Sequence, residues 1–239
     1  MPNNYFQFKQ FTVHQQMAAM KVTTDACLFG AWAVNDIQKN FPPPSNALDI
    51  GAGTGLLSLM IAQKVNAQID AIEIDKNAFD QTEENFNSSP WSNRLKAVHN
   101  DIKNASLPLY DIIISNPPFY ENDLGSPDQK RSSAHHDSTL LLSELIGICK
   151  FSLQRQGSFY LLLPFKRLEE VKLMINGKGM TVSRICNVRQ STNHTFFRSM
   201  LIIKHSTTDT QTEEMSIRQS DNEYSAAFTA LLKDYYLYL

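Results

Sequence analysis

The alternation of short apolar runs with longer amphipathic stretches, from residue 47 to residue 164, constrains the fold more than any other feature of the sequence. Strands that alternate with helices are typical of β-α-β units, in which the connecting helix makes neighbouring strands run parallel. The pattern therefore predicts an α/β fold, with a mostly parallel sheet and helices on both faces. The predicted strands are residues 47–50, 68–74, 96–99, 110–115 and 158–164, and the predicted helices are residues 55–65, 76–88 and 138–154.

Two further apolar stretches near the end of the chain break this pattern. Residues 180–190 and 195–205 are joined by about four polar residues. A connection this short cannot cross over a sheet, so the two stretches predict an antiparallel hairpin at the sheet edge. The expected core is then a seven-stranded sheet whose last strand is antiparallel.

The N-terminal region predicts a short extended segment followed by a helix. Residues 5–13 carry three phenylalanines and favour an extended conformation. Residues 23–38, "TTDACLFGAWAVNDIQ", have a helical pattern, and Thr24 or Asp25 is placed to cap the helix.

The C-terminal region predicts a linker and one more helix. Residues 206–216 are polar and indicate a linker. Ser220 and Glu223 match a capping box that opens the helix. Its apolar stripe indicates a helix docked on the body of the protein. The stripe consists of Tyr224, Phe228, Leu231, Leu232, Tyr235 and Leu239.

The charge of the chain is unevenly distributed. The formal net charge is −2, yet residues 150–205 carry ten Lys or Arg against only Glu169 and Glu170. A segment this basic favours a surface that faces a polyanion. The alternative is that these charges are scattered over a solvated exterior.

Apolar runs and cysteines exclude several classes of protein. No apolar run approaches the ~20 residues that a membrane span needs, and the first residues lack the pattern of a signal peptide. Cys27, Cys149 and Cys186 are odd in number and far apart. We therefore expect reduced, buried thiols in a cytoplasmic protein, without a disulfide framework, a zinc site or a catalytic metal.

The stretch "LDIGAGTG" (48–55) follows a predicted strand and opens a predicted helix. Gly51, Gly53 and Gly55 allow a sharp turn and bring the backbone against a ligand. Leu56 stands where the dinucleotide fingerprint has its last glycine, which disfavours NAD. A purely structural strand–helix turn is the alternative.

Three acidic residues follow the next two predicted strands. Glu73 ends the second strand, where a carboxylate accepts hydrogen bonds from ribose hydroxyls, unless it is a plain surface acid. Asp75 competes for this role but more plausibly begins the following helix. Asp101 follows the third strand and either accepts from an adenine amine or caps the next turn.

The fourth predicted strand ends in Asn116-Pro117-Pro118-Phe119. Proline cannot donate to a sheet ladder, so Pro117 stops the strand at the edge where α/β sheets bind ligands. This tetrapeptide resembles the N-P-P-[FY] signature of S-adenosylmethionine-dependent methyltransferases that act on amide or exocyclic amino nitrogens. With the glycine loop, Glu73 and Asp101 in order, the resemblance to the Rossmann-like class I methyltransferase fold covers roughly residues 45–205.

Residues 8–33, 131–136 and 223–239 extend the resemblance to the bacterial tRNA1(Val) adenine-N6-methyltransferases, over nearly the whole chain. It implies methyl transfer to N6 of the adenosine immediately 3′ of the anticodon, with tRNA as partner and no membrane, metal or obligate protein partner. It also implies three parts of the chain: an N-terminal extension over the cofactor and substrate cleft (1–40), the methyltransferase core (41–205), and the linker with its docked helix (206–239).

The resemblance also assigns roles to residues. Asn116 and the Pro117 carbonyl accept the two amine hydrogens, and Phe119 stacks the target base, which is flipped out of its own stack. S-adenosyl-L-methionine is bound by Asp49, Gly51, Gly53, Gly55, Glu73 and Asp101, with Lys21 and Asp25 as candidates at its methionine end. The candidate RNA contacts come instead from the basic segment 150–205, and they are Lys166, Arg167, Arg184, Arg189 and Arg198.

Three other functions stay open from the sequence. Methylation of a ribosomal RNA base fits the same tetrapeptide. A protein-glutamine methyltransferase usually has Tyr where this chain has Phe119, and a long helical domain where this chain has only about 40 residues. A cofactor-free RNA-binding module with a relic fold is disfavoured by the intact glycine loop and Glu73, and cofactor binding would separate it from an enzyme.

Overall fold

A computed structural model describes residues 3–39, 42–118 and 140–239. The described residues form a two-stranded hairpin and an eight-stranded sheet. The strands are β1 (Tyr5–Gln7), β2 (Thr12–His14), β3 (Asn46–Ile50), β4 (Gln68–Glu73), β5 (Leu95–His99), β6 (Tyr110–Ser115), β7 (Leu153–Pro164), β8 (Thr181–Ser191), β9 (Phe196–Lys204) and β10 (Gln211–Arg218). The α-helices are α1 (Thr24–Ile37), α2 (Leu56–Lys64), α3 (Lys76–Asn87), α4 (Leu142–Ser152), α5 (Leu168–Gly177) and α6 (Ala226–Leu232).

The order of the strands confirms the predicted fold class. The sheet runs β10-β8-β9-β7-β6-β3-β4-β5. The five strands from β3 to β7 are parallel to one another, and β9 is antiparallel to both β7 and β8. All seven predicted strands are present, and the reversed strand is the second half of the predicted hairpin.

The predicted linker is wrong, because it contains most of an eighth strand. β10 pairs in parallel with β8, from Gln211 opposite Arg184 to Arg218 opposite Ser191. Only Ile217 of this strand is buried, so the sequence lacks the apolar alternation by which a strand is recognised. An edge strand with charged residues is also protected from pairing with other chains.

The start of the C-terminal helix also differs from the prediction. The helix begins at Ala226, and the Ser225 hydroxyl accepts a hydrogen bond from the Phe228 amide at 3.1 Å. The capping box of Ser220 and Glu223 is therefore wrong, since both residues precede the true cap. Phe228, Leu232 and Tyr235 are buried and belong to the hydrophobic cluster that contains α1 and α2 residues.

Two helices in the body of the chain differ from the prediction. The cap of α1 is Thr23, one residue before the predicted candidates, and its hydroxyl accepts from the Ala26 amide at 3.4 Å. Helix α5 connects β7 to β8 and was not predicted at all. It buries one face through Leu168, Val171 and Ile175.

Helices cover both faces of the sheet and enclose two hydrophobic clusters. One cluster lies among α1, α2, α6 and the N-terminal strands, and the other lies under α4 and α5. The three cysteines are free and buried, as predicted. Burial raises the pKa of the Cys27 and Cys186 thiols to about 12, which keeps them unreactive. None of the helices in the described ranges is long and apolar enough to cross a membrane.

One glycine of β7 is required by close packing. A Cβ at Gly157 would lie 2.8 Å from the carbonyl oxygen of Asp111 and 2.8 Å from Leu153 Cδ1. The backbone oxygen cannot move without disturbing the pairing of β6 with β7. Gly157→Ala should therefore lower the free energy of unfolding, measured by urea denaturation, by ~1–3 kcal/mol.

Gly177→Ala is the matched control, because a Cβ there would meet no described atom within 4 Å. We expect this variant to be as stable as the wild type, or more stable by up to ~1 kcal/mol. Equal stability of the two variants would contradict the proposed packing at Gly157.

Candidate active site

The register of the three central strands brings the predicted site residues to one edge of the sheet. Ile50 of β3 pairs in parallel with Ile72 of β4 and with Ser115 of β6. The residues that follow these three are Gly51, Glu73 and Asn116. The Ser115 hydroxyl also donates a hydrogen bond to the Ile50 carbonyl at 2.8 Å, which holds the ends of β3 and β6 together.

The glycine loop borders open space. Gly51 and Gly53 have φ angles of 72° and 60°, in the left-handed region that favours glycine. A Cβ at either position would meet no described atom within 4 Å. Gly55 serves packing instead, because a Cβ there would lie 2.6 Å from the Phe86 ring of α3.

Glu73 holds the loop in place. The side chain is only 8% exposed. Its Oε2 accepts from the Gly53 amide and its Oε1 from the Asp75 amide, both at 2.9 Å. An ionised carboxylate has about four lone-pair sites, so Glu73 can accept two more hydrogen bonds from a ligand. Asp75 caps α3, as predicted, by accepting from the Ala78 amide at 2.8 Å.

Asp49 is a buried carboxyl with an unpaired oxygen. Its Oδ2 accepts from the Ser58 amide at 3.2 Å and from the Ser58 hydroxyl at 2.8 Å. Its Oδ1 is buried and has no hydrogen-bond partner in the described part of the chain. Burial raises the pKa of Asp49 to about 7. A buried polar atom without a partner at the end of β3 suits a ligand that carries a positive charge or an N–H group.

Asp101 acts as a cap in this structure. Its Oδ1 accepts from the Lys103 amide at 2.9 Å and closes a short 3₁₀ turn over residues 102–104. The capping alternative is therefore the observed one, and a contact of Asp101 with a cofactor adenine stays a prediction. Lys21 is exposed and is not part of the cavity described next.

A cavity of about 610 Å³ lies beside the end of β6. Asn116 is half-buried in its wall, and within the described residues its carboxamide has no hydrogen-bond partner. Phe119 lies outside the described residues, so its stacking role stays a prediction. The cavity is lined by Met20, Thr23, Asp25, Asn116, Pro117, Pro164, Phe165, Lys166, Arg167, Phe196, Phe197 and Arg198.

The predicted RNA-binding residues divide into two groups. Lys166, Arg167 and Arg198 line the cavity, whereas Arg184 and Arg189 do not. Among the described residues, the four arginines each pair with an acidic side chain, so the positive charge of these four is balanced locally. The pairs are Arg198–Asp25 at 2.8 Å, Arg167–Glu170 at 2.9 Å, Arg184–Asp36 at 3.2 Å and Arg189–Glu214 at 3.2 Å.

The sequence did not reveal two polar residues of α3 that hold the N-terminal region, one of which also bonds the glycine loop. Asn85 accepts from the His14 amide at 2.8 Å and donates to the carbonyls of His14 and Thr54 at 2.8 and 2.9 Å. Gln81 accepts from the Met17 amide at 3.1 Å. Both side chains are buried, and polar residues on the inner face of an amphipathic helix were the available signal.

Comparison with protein families identifies the family to which the chain belongs. The model of the methyltransferase small domain family matches residues 32–162, which is more than half of the chain. The chain belongs to this family. The glycine loop, Glu73 and Asn116 all lie within the matched residues.

Two relatives match this methyltransferase over almost its entire length. The tRNA1(Val) (adenine(37)-N6)-methyltransferase of Cytophaga hutchinsonii is 39% identical over 100% of both chains. The protein of the same name from Tolumonas auensis is 36% identical over 99% of this chain and 98% of the relative.

Solved structures share the fold of this methyltransferase. A predicted O-methyltransferase from Agrobacterium tumefaciens has a TM-score of 0.65 at 14% identity, covering 87% of this chain and 95% of that one. A ribosomal protein L11 methylase from Lactobacillus delbrueckii subsp. bulgaricus has a TM-score of 0.58 at 14% identity, covering 82% and 84%.

Membership in the family implies S-adenosyl-L-methionine as the cofactor. The structure fits such a group at the edge of β3 and β4. Gly51 and Gly53 leave open space in front of their backbone, Glu73 has unused acceptor sites, and Asp49 Oδ1 lacks a partner. These residues would hold the cofactor, with Glu73 placed for hydroxyl groups and Asp49 for a cationic group.

The raised pKa of Asp49 makes folding stability depend on pH. An unfolded aspartate has a pKa of ~3.9, so between pH 4 and 7 the folded protein retains a proton that the unfolded chain has lost. The stabilisation is full below pH 4 and is lost as the pH rises to about 7. Asp49→Asn lacks this titration, so its free energy of unfolding should gain up to ~4 kcal/mol relative to the wild type across this range.

Urea denaturation of both proteins at intervals between pH 4 and pH 8 measures this effect. Asp75→Asn is the control, since its side chain only caps α3 and asparagine caps equally well. A constant difference between wild type and Asp49→Asn would show that folding does not raise the pKa of Asp49.

Glu73→Ala should weaken the binding of S-adenosyl-L-methionine. A hydrogen bond to a charged group contributes ~1.5–3 kcal/mol, and the variant also releases the Gly53 amide. Calorimetric titration should show a loss of affinity of at least about tenfold. Asp75→Asn should bind the cofactor normally. A larger loss of affinity in Asp75→Asn than in Glu73→Ala would assign the ribose contact to Asp75.

Proposed function

We propose that this methyltransferase transfers the methyl group of S-adenosyl-L-methionine to N6 of the adenine immediately 3′ of the anticodon of tRNA1(Val). The observation that carries this function is the position of Asn116 and Pro117, at the end of β6 and directly beside the glycine loop. Relatives of this name that match over the full length support the choice of substrate.

The substrate nitrogen explains why two acceptors are needed. An exocyclic amine on an aromatic ring is a poor nucleophile, because its lone pair is delocalised into the ring. When bound, S-adenosyl-L-methionine supplies an electrophilic methyl group. The Asn116 side-chain oxygen and the Pro117 carbonyl accept the two amine hydrogens, which directs the nitrogen lone pair out of the ring plane. No strong base is required, since the nitrogen becomes acidic once it is methylated.

The two acceptors are held before the substrate arrives. Pro117 and Pro118 restrict the backbone after Asn116, and Ser115 is buried and bonded to Ile50. Acceptors that are already in position need not reorganise as charge develops, which is the source of electrostatic catalysis. The target base has to leave its own stack to reach them, and Phe119 supplies the aromatic face on which it rests.

The N-terminal extension encloses the same site. Met20, Thr23 and Asp25 line the cavity, and Asn85 ties His14 to the glycine loop. These contacts support the proposed division of the chain, in which residues 1–40 cover the cleft. The proposed partner is tRNA, and the proposed location is the cytoplasm.

Asn116→Ala should abolish most methyl transfer and leave cofactor affinity nearly unchanged. Losing one preorganised hydrogen-bonding group of this kind lowers the rate by ~10²–10³-fold. Single-turnover transfer of labelled methyl to the tRNA measures the rate, and calorimetry measures the affinity. Asn176→Ala, an exposed position on α5, is the matched control. A variant at Asn116 that retains a tenth of the wild-type rate would refute the catalytic assignment.

The identity of the substrate is tested with total RNA that lacks the modification. The protein is incubated with this RNA and labelled S-adenosyl-L-methionine, and the labelled fragment and nucleoside are identified after digestion. We expect N6-methyladenosine in the anticodon loop of tRNA1(Val). Label in a ribosomal RNA fragment, or in a protein glutamine when extract is supplied, would replace tRNA with that substrate. RNA binding without cofactor binding or methyl transfer would leave an RNA-binding module.

A further inference from the structure

The wall of the cavity that faces Asn116 is aromatic as well as cationic. Phe165 directly follows β7, and Phe196 is the first residue of β9. The centroids of their rings are 5.2 Å apart, and both residues are half-buried and line the cavity. Neither ring was assigned a role by the sequence.

Phe196 differs from its neighbours in what it packs against. Phe165 packs against the hydrophobic cluster under α4 and α5, and Phe197 packs against the cluster on the other face of the sheet. Phe196 belongs to neither cluster. Its ring contacts Phe165 and lies 5.3 Å from the guanidinium carbon of Arg189. Ligand pockets are lined mostly by apolar and aromatic side chains, and the Phe196 ring lines this cavity without joining either core cluster.

The charged groups around the two rings already have partners. Arg189 donates to Glu214 at 3.2 Å and to the Ser216 hydroxyl at 2.9 Å, and Arg198 donates to Asp25 at 2.8 Å. A phosphate would have to compete with these carboxylates for the guanidinium groups. A base that stacks on an aromatic ring breaks no ion pair. The wall is therefore better suited to nucleobases than to phosphates.

The two rings share a cavity with the catalytic corner. β7 lies next to β6, and β9 lies next to β7. Neighbouring strands are ~4.8 Å apart, so β9 lies about 10 Å to one side of β6, and Asn116, Phe165 and Phe196 all line the cavity of about 610 Å³. A base held at Asn116 thus leaves the adjacent part of its own strand close to Phe165 and Phe196.

We infer that the Phe165–Phe196 pair is a stacking site for an unpaired base adjacent to the target adenosine. This inference rests on the proposed function, since it requires a single-stranded RNA loop at Asn116. Proteins that read RNA loops stack splayed bases on aromatic rings and on guanidinium planes, and Arg189 beside Phe196 adds such a plane. Stacking also contributes to affinity with little dependence on base identity.

The affinity of Phe196 variants for an anticodon stem-loop of tRNA1(Val) tests the site. Phe196→Leu keeps apolar bulk but loses the flat face, so the Kd from fluorescence anisotropy should rise about tenfold. Phe196→Tyr should restore wild-type affinity. Phe151→Leu is the control, because Phe151 is 79% exposed, lies outside this cavity, and also has a cation near its ring, Lys150 Nζ at 5.7 Å.

The salt dependence separates stacking from charge. Each lost phosphate contact to a single strand flattens the slope of log K against log salt by ~0.7. The plot of log K against log salt should have the same slope for Phe196→Leu as for the wild type, with log K lower by a constant amount at every salt concentration. An unchanged Kd, or a slope flattened by one phosphate contact, would overturn the inference.

A direct readout uses 2-aminopurine in place of each nucleotide that flanks the target. Stacking quenches its fluorescence, so we expect quenching at one flanking position with the wild type, reduced in Phe196→Leu and regained in Phe196→Tyr. Equal quenching by wild type and Phe196→Leu at both positions would also overturn the inference. Methyl transfer to the same stem-loop by the wild type tests the proposed function separately, because a stem-loop that is methylated but not quenched rejects the stacking site alone.

Discussion

The parallel pairing of β3 with both β4 and β6 is the constraint on which the rest of the site depends. Ile50 is the shared partner of Ile72 and Ser115. A shift of one residue in either pairing would turn the following side chain to the opposite face of the sheet. Gly51, Glu73 and Asn116 are far apart in the chain, yet the backbone pairing of three strands sets their relative positions, with support from the Ser115 hydroxyl and the Glu73 carboxylate. The positions of the site residues are therefore as well defined as the strand pairing of the sheet, and few side-chain contacts are needed to fix them.

Two acidic side chains at this edge differ in how their oxygens are hydrogen-bonded. Glu73 accepts a hydrogen bond from one backbone amide on each carboxylate oxygen. Asp49 is buried with one oxygen unpaired, and its raised pKa reflects the loss of hydration. A fold selected for stability alone would not retain such an oxygen. This buried, unpaired oxygen lowers stability, and it lies where the cofactor of the family has to bind.

The sequence predicted what depends on short-range pattern and missed what depends on partners distant in the chain. The central strands follow from their apolar runs, and the glycine loop and Asn116 follow from local chemistry. β10 was missed because an exposed edge strand needs few apolar residues. The ion pairs were missed because Arg184 and Asp36 are separated by 148 residues. The contact of Phe165 with Phe196 is likewise invisible until β7 and β9 are paired.

The two end regions of the chain contact each other beside α1 and α2. Phe8 forms an antiparallel bridge with Tyr236, and the Lys9 amide donates to the Tyr235 carbonyl at 2.8 Å. The Lys9 ammonium bonds the Lys233 carbonyl across a separation of 224 residues. On a ribosome, residues 5–14 emerge early but gain these partners only after residue 236 has been made. Contacts between residues so far apart in sequence raise the contact order, which slows folding. Residue 14 is also bonded to Asn85, so the surroundings of the glycine loop gain the support of these contacts only after synthesis has passed the last helix.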